Sequence, residues 1–264
     1  MSEKGKYALI LGSSSGFGAA TAIRLAEEGF DIFGVHLDRK ATMPQVEAVI
    51  EQIKNHGREA VFYNINAADE EKRRATVQDI RQRVPEGHHL GVVLHSLAFG
   101  TLKPFIEETP AAALSRSNVI MTMDVMAHSL VYWVQELYWA KLLGRGSRIF
   151  AMTSHGSTTV VPYYGAVSAA KAALEAHIRQ LALELGPVGA TCNAIKAGVT
   201  DTPALRKIPG HEAMVQAAKR RNPAGRLTTP QDVANVIALL SRPEAQWING
   251  DVIAVDNAES VIDR

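Results

Sequence analysis

Tyr7-Ala-Leu-Ile-Leu11, followed by Gly12-Ser-Ser-Ser-Gly16-Phe17-Gly18, is the stretch that decides the fold of this 264-residue chain. The apolar run reads as a strand buried on both faces, as in a parallel sheet. The turn after it spaces its glycines as G-x3-G-x-G. From Ala19 to Glu28, Ala22, Ile23, Leu25 and Ala26 recur at helical spacing. Strand, glycine turn and helix in this order gather backbone N–H groups and a helix N-terminus around a pyrophosphate. Glycines bring the backbone close to phosphate oxygens with no Cβ in between. The spacing departs from the commoner G-x-G-x-x-G fingerprint, and a Gly/Ser turn without a ligand is the alternative reading.

Outward from this unit, apolar runs alternate with amphipathic ones. Strands are expected near 7–11, 31–36, 59–64, 91–95, 147–152, 190–195 and 251–255. Helices are expected near 17–29, 43–56, 69–84, 108–143, 163–185, 211–221 and 230–241. The alternation implies right-handed βαβ units and a Rossmann-type, doubly wound parallel sheet of about seven strands with helices on both faces. Asp69 is placed to cap the helix EEKRRA, and Thr229-Pro230 fits the N-cap and first position of the last helix. Pro187-Val-Gly189 ends the helix before it. No repeat or linker interrupts the chain, so residues 1–264 are expected to form one domain. Residues 197–226 hold Pro203, Pro209, Gly210, Pro223 and Gly225. They are the candidate for a mobile substrate lid, with a plain surface excursion as the alternative.

Composition narrows the partners. Hydrophobic residues make up 47% of the chain, enough for one large core, and the net charge is +1 with no basic block. Nucleic acid is therefore not an expected partner. No apolar run approaches the ~20 residues of a membrane span, and Met1 to Lys6 is polar, so no membrane or export signal is expected. The single Cys192 excludes an intrachain disulfide and suits a reducing cytoplasm. The nine histidines show no zinc spacing, so no metal is expected.

A second constellation carries chemistry. Tyr164 and Lys171, with six residues between them, open the run YYGAVSAAKAALEAHIRQLALEL. Two helical turns would put both on nearly the same face. A phenol beside an ammonium can hydrogen-bond or protonate an oxygen gaining charge, and the ammonium is expected to lower the phenol's pKa. Tyr163 would point ~100° away if both tyrosines were helical, which makes it a pocket or packing residue.

These residues, with His95-Ser-Leu-Ala-Phe99 after strand four, Thr153-Ser154 after strand five and Asn193-Ala-Ile-Lys-Ala-Gly198 after strand six, resemble the short-chain dehydrogenase/reductase superfamily over essentially the whole chain. One departure is informative. Ordinary members carry Tyr four residues before Lys, where this chain has Val167. Tyr164-x6-Lys171 instead resembles the enoyl-acyl-carrier-protein reductases of bacterial fatty-acid synthesis. So do LHSLAFG and Met123-Asp124-Val125, with Met126 standing where most of the superfamily has a catalytic Asn. Many of those reductases have a second Tyr where this chain has Ser154, which looks like a divergent branch. Ketone-reducing members also keep a catalytic Ser at that place.

The spacing suits enoyl reduction. When a ketone is reduced, the new C–H bond forms on the carbon that bears the oxygen. When an enoyl thioester is reduced, it forms on the β-carbon, and charge collects on an oxygen three bonds away. Moving Tyr three residues toward the helix N-terminus shifts it ~4.5 Å along the axis, which is the direction required.

The resemblance implies site roles. Tyr164 would stabilise the enolate oxygen, and Lys171 would hold the nicotinamide ribose and lend positive potential. Ser154 would orient the carbonyl or Tyr164, or merely satisfy local backbone. Gly12, Ser14, Gly16, Phe17 and Gly18 would cradle the pyrophosphate, while Asn66 and Ala67 flank adenine. Ser96, Leu97, Ala98 and Gly198 would line the same crevice, with the Thr200 backbone at the carboxamide and Thr202 on phosphate. His36 takes the usual acid position at the end of strand two, with Asp38, Arg39 and Lys40 beyond it. Two cations suit a 2′-phosphate, so NADP(H) is the expected cofactor with NAD(H) also possible; a solvated turn is the alternative for LDRK. The substrate would be an acyl-carrier-protein or coenzyme A thioester and the assembly a homotetramer. The competing readings are a ketone or alcohol oxidoreductase acting on 3-oxoacyl or steroid substrates, and a non-catalytic NAD(P)-binding sensor.

Overall fold

The chain alternates strand and helix from end to end in a computed structural model that describes residues 5–262. The first half runs β1 Lys6–Leu11, α1 Gly16–Glu27, β2 Phe30–His36, α2 Met43–Asn55, β3 Ala60–Asn64, α3 Glu70–Arg83 and β4 Leu90–His95. The second half runs α4 Arg116–Met123, α5 Ser129–Trp139, β5 Arg148–Thr153, α6 Gly165–Leu185, β6 Thr191–Ala197, α7 His211–Arg221, α8 Pro230–Leu240 and β7 Val252–Val255. Seven strands form one sheet in the order β3-β2-β1-β4-β5-β6-β7, and every pairing is parallel. This is the Rossmann-type architecture expected from the alternation.

Side chains of β1 alternate between two cores, as a strand's two-residue period dictates. Ala8 and Ile10 join Leu25, Ile53, Phe150, Val233 and Ile237 on one face. Leu9 and Leu11 join Trp133, Leu174 and Ile178 on the other. Burying one such side chain contributes ~1.5–3 kcal/mol. Trp133 also donates its indole N–H to the Ala67 carbonyl at 2.9 Å, tying α5 to the segment after β3.

The caps fall where the sequence places them. Asp69 accepts the Lys72 N–H at the head of α3. Thr229 and Asp232 form a reciprocal capping box before α8, with Pro230 at its first position. Gly189 takes a left-handed φ of 78° just past the end of α6.

Two expectations need correction. The run 108–143 is not one helix: α4 starts at Arg116, where Ser115 and Asn118 form a capping box, and Thr101–Ser115 is irregular. Asp124–His128 then takes a π-helical turn between α4 and α5, with the Ser129 hydroxyl donating back to the Val125 carbonyl at 2.7 Å. The second concerns α6, which starts at Gly165. Tyr164 is its N-cap and Tyr163 has a φ of 62°, so neither tyrosine is helical. Strand ends differ by a residue or two, and Asn193 lies inside β6.

The candidate active site

β1 and β4 are neighbours in the sheet, but the chain leaves their carboxyl ends in opposite directions. This is the switch point at which ligands bind in such sheets. Gly12 follows β1 with a φ of 90°, and a Cβ on it would sit 2.4 Å from the Ser96 carbonyl oxygen after β4. A Cβ on Gly18 would sit 2.0 Å from the Gly12 carbonyl oxygen. Only glycine allows either approach. The turn is tied down by Gly12 N–H donating to the Val35 carbonyl at 2.8 Å and Ser96 N–H to that of Leu11 at 2.8 Å. Leu97 packs against the same turn, whereas Ala98 is exposed. The aromatic ring of Phe17 packs on the core beneath.

Across the turn lies the segment after β6. A Cβ on Gly16 would meet the Thr202 methyl at 3.4 Å, so Thr202 and the glycine turn face each other across a space that a side chain would fill. The Leu205 N–H donates to the Thr202 hydroxyl oxygen at 3.2 Å, and Thr200 donates to the Gly198 carbonyl at 2.9 Å. A side-chain-free concavity at a helix N-terminus fits the pyrophosphate of a dinucleotide.

The end of β2 is better ordered than its sequence shows. His36 is buried and its Nδ1 lies 3.0 Å from Asp38 Oδ2. Asn64, from β3, grips the Asp38 backbone through its carbonyl and amide, at 3.0 and 2.9 Å. Burial alone would raise the Asp38 pKa. Hydrogen bonds from Thr42, Ser14 and His36 instead hold it below the usual carboxylate range. An ionised carboxylate thus stands near Ser14 of the glycine turn, while Arg39 and Lys40 are exposed. Asn66 is exposed, bonds the Ala68 N–H, and lines a cavity of about 440 Å³ with Ile120, Met121 and Val125. Ala67 is buried under Trp133.

Tyr164 caps α6, and its carbonyl accepts the Ser168 N–H at 2.8 Å, the first rung of the helix. Its ring lies over Gly156, where a Cβ would come within 2.8 Å of it. Ser154, at the end of β5, accepts the Gly156 N–H at 3.1 Å. Burial pushes the phenol's pKa up, and a hydrogen bond with Ser154 draws it part of the way back. The net direction is upward, opposite to the expected effect of Lys171. Lys171 is buried one layer deeper, donating from Nζ to the Met152 carbonyl at 2.8 Å. Burial draws its pKa down to about 8, against the nearby charge of Glu175. Glu175 in turn accepts the Thr153 hydroxyl at 2.6 Å. Successive residues of β5 thus hold successive turns of α6.

His95, wholly buried at the end of β4, was invisible as a chemical group in the sequence. Its Nε2 lies 2.8 Å from the Ser129 hydroxyl oxygen. That hydroxyl spends its own proton on the Val125 carbonyl, so Nε2 carries the ring hydrogen and Nδ1 stays buried without a partner. Burial, then the Lys171 charge, push the imidazole pKa down to about 3, which keeps it neutral. The positions that supply Tyr and Asn in ordinary members are apolar and touch one spot. A Cβ on Gly100 would lie 2.8 Å from Val167 Cγ2 and 2.9 Å from Met126 Sδ.

The switch-point crevice, the glycine turn and the tyrosine and lysine of α6 together define an oxidoreductase of the short-chain dehydrogenase/reductase superfamily, which binds NAD(P). The chain belongs to the family described as Enoyl-(Acyl carrier protein) reductase, whose profile matches residues 12–257. It is similar to the NADH-dependent enoyl-[acyl-carrier-protein] reductase FabI of Aquifex aeolicus, at 28% identity over 98% of this chain and 93% of that protein. It is equally similar, at 28% identity over 97% of this chain and 98% of the relative, to the 3-oxoacyl-[acyl-carrier-protein] reductase FabG of Pseudomonas aeruginosa. The solved structure of the Aquifex aeolicus enoyl reductase superposes with a TM-score of 0.84, at 26% identity, covering 99% of this chain and 98% of that one. Among the described residues, no helix is long and apolar enough to cross a membrane, and no group of three or more metal-binding side chains converges.

Proposed function

We propose that this chain reduces the C=C bond of a 2-enoyl thioester, carried by acyl-carrier protein or coenzyme A. The observation that carries the reading is the pairing of Tyr164 at the mouth of α6 with Val167 and Met126 packed together on Gly100. The ordinary donor positions carry no O–H or N–H group, and the half-buried phenol of Tyr164 stands three residues before Val167. The bound nicotinamide would supply hydride. Tyr164 would then donate to the thioester oxygen, held in place by Ser154. Lys171 spends one of its three N–H donors on Met152 and has two left for ribose hydroxyls. Gly12, Ser14, Gly16, Phe17, Gly18 and Thr202 would hold the pyrophosphate, with Thr200 at the carboxamide and Asn66 beside adenine.

The cofactor we propose is NADH in preference to NADPH, which revises the expectation drawn from Arg39 and Lys40. The Asp38 carboxylate stands near Ser14 of the glycine turn, with its Oδ2 3.0 Å from His36 Nδ1. It can accept a ribose 2′-OH there and would repel a 2′-phosphate. Segment 197–226 is the proposed lid. Exposed Tyr138, Trp139 and Leu183 on α5 and α6 support a homotetramer, and the cytoplasm is the proposed compartment.

The nearness of Ser154 and Tyr164, both within 3.5 Å of where a Cβ on Gly156 would be, favours a second reading, reduction of a 3-oxoacyl thioester or another ketone. Initial rates with crotonyl and acetoacetyl thioesters, measured side by side by NADH absorbance, decide between them. Crotonyl turnover is expected. Acetoacetyl turnover alone would transfer the assignment to the ketone, and turnover of neither would favour a non-catalytic nucleotide sensor.

A further inference from the structure

Beyond β7 the chain makes a hook, Asp256 to Ser260, that closes onto the segment after β6. Asn257 and Ala258 have φ angles of 48° and 63°, two consecutive non-glycine residues in a region L-residues avoid. Such a conformation persists only where its surroundings over-determine it, and here they do. The Asp256 carboxylate accepts the N–H groups of Ala258 at 3.1 Å and Ser260 at 3.2 Å. Asn257 donates to the Asn222 side-chain oxygen at 2.8 Å, and Asn222 donates back to the Asp256 carbonyl at 3.3 Å.

The hook presents Glu259, 5% exposed, to the backbone of the β6 exit. Both carboxylate oxygens lie 3.2 Å from the Val199 N–H, and Oε2 is 2.8 Å from where a Cβ on Gly198 would be. Burying a carboxylate against one N–H is costly, and burial raises its pKa despite that N–H and the nearby charge of Arg221 on α7. Asp256 is its other charged neighbour. What this arrangement achieves is a fixed orientation for the peptide between Gly198 and Val199, one residue before Thr200.

We propose that Glu259 is a positioning residue that sets the Val199–Thr200 backbone at the nicotinamide end of the cofactor site, so that the C-terminal hook is part of the cofactor grip. The proposal rests on the cofactor placement given above, with Thr200 at the carboxamide, and is independent of the substrate. Glu259 touches no part of the cofactor itself. Its effect is therefore confined to the end of the nucleotide that Thr200 meets.

NADH and ADP-ribose, which lacks the nicotinamide, separate this from a general structural role. Their affinities are measured by calorimetry for the whole protein and for Glu259→Ala, Glu259→Asp and Glu259→Gln, with circular dichroism as the fold control. Glu259→Ala and Glu259→Asp should weaken NADH about tenfold or more, the scale of a lost hydrogen bond to a charged group, and leave ADP-ribose unchanged. Glu259→Gln keeps an acceptor at the same reach and should stay near the parent protein. If Glu259→Ala does not fold, the contrast between Asp and Gln decides. Equal losses for NADH and ADP-ribose, or no loss for either, overturn the proposal. NADPH and 2′-phospho-ADP-ribose are titrated in parallel, so a wrong choice of nucleotide appears in the parent protein and not as an effect of Glu259. Failure of the parent protein to bind either dinucleotide would overturn the cofactor reading and this proposal with it.

Discussion

Adjacent tyrosines with different backbones separate two fates at the mouth of α6. Tyr163 has a left-handed φ and an exposed ring, whereas Tyr164 caps the helix with its ring over Gly156 and near Ser154. Tyr164→Phe should lower turnover by ~10²-fold or more, the scale of a lost proton donor or oxyanion partner. Tyr163→Phe should cost far less. Steady-state rates for the two variants check this, and a reversed order would mean that the other phenol is the donor. Lys171 supplies the pH dependence. With its pKa drawn down to about 8, its ammonium is present below that pH and lost above it. If ribose binding and the potential at Tyr164 both use that charge, kcat/KM, which reports groups of the free enzyme, should fall as pH rises through about 8. Glu175→Gln removes the charge that supports the ammonium and should move that limb to lower pH. Lys171→Met keeps the aliphatic stem and should abolish the limb, along with most of the turnover. A profile flat to pH 10 in the parent protein would take Lys171 out of the site.

Element by element, the strand–turn–helix of β1 and α1 was legible because one short stretch contains the strand, the glycines and the helix face. The same holds for α8, whose Thr229 and Asp232 cap lies within four residues. The run 108–143 was not legible as three pieces, because nothing in its local pattern marks the π-helical turn that the Ser129 hydroxyl bond to Val125 accompanies. Tyr164 and Lys171 were identified by spacing, although the phenol sits on the cap and its pKa moves up. Glu175 and Glu259 act across 22 and 60 residues of chain, which no local pattern encodes. At the end of β2 the sequence offers Asp38, Arg39 and Lys40 together. It is Asn64, from the next strand, that holds the Asp38 backbone and fixes which of them stands near the turn. Asp38→Ser should therefore improve the affinity ratio of NADPH to NADH by about tenfold, measured by fluorescence titration. Adding Arg39→Ala and Lys40→Ala should cancel the gain. An unchanged ratio in Asp38→Ser would place the ribose elsewhere.

At the scale of the whole molecule, a parallel sheet covered on both faces brings the candidate segments that follow its strands to one edge, where the start of α6 meets them. His95 ends β4, Thr153 ends β5 and Ala197 ends β6. That architecture is common to relatives that reduce ketones and relatives that reduce enoyl groups, as the equal identities to a FabI and a FabG illustrate. Fold and family therefore leave the bond to be reduced undecided, and the proposed function rests on the position of one phenol. The direct measurement gives the protein an equimolar mixture of crotonyl and acetoacetyl thioesters with NADH deuterated at the transferable position, and locates the label by mass spectrometry and NMR. The proposed function predicts butyryl thioester carrying deuterium at C3, with acetoacetyl thioester recovered unchanged. Recovery of 3-hydroxybutyryl thioester labelled at C3, with the crotonyl thioester untouched, would contradict it.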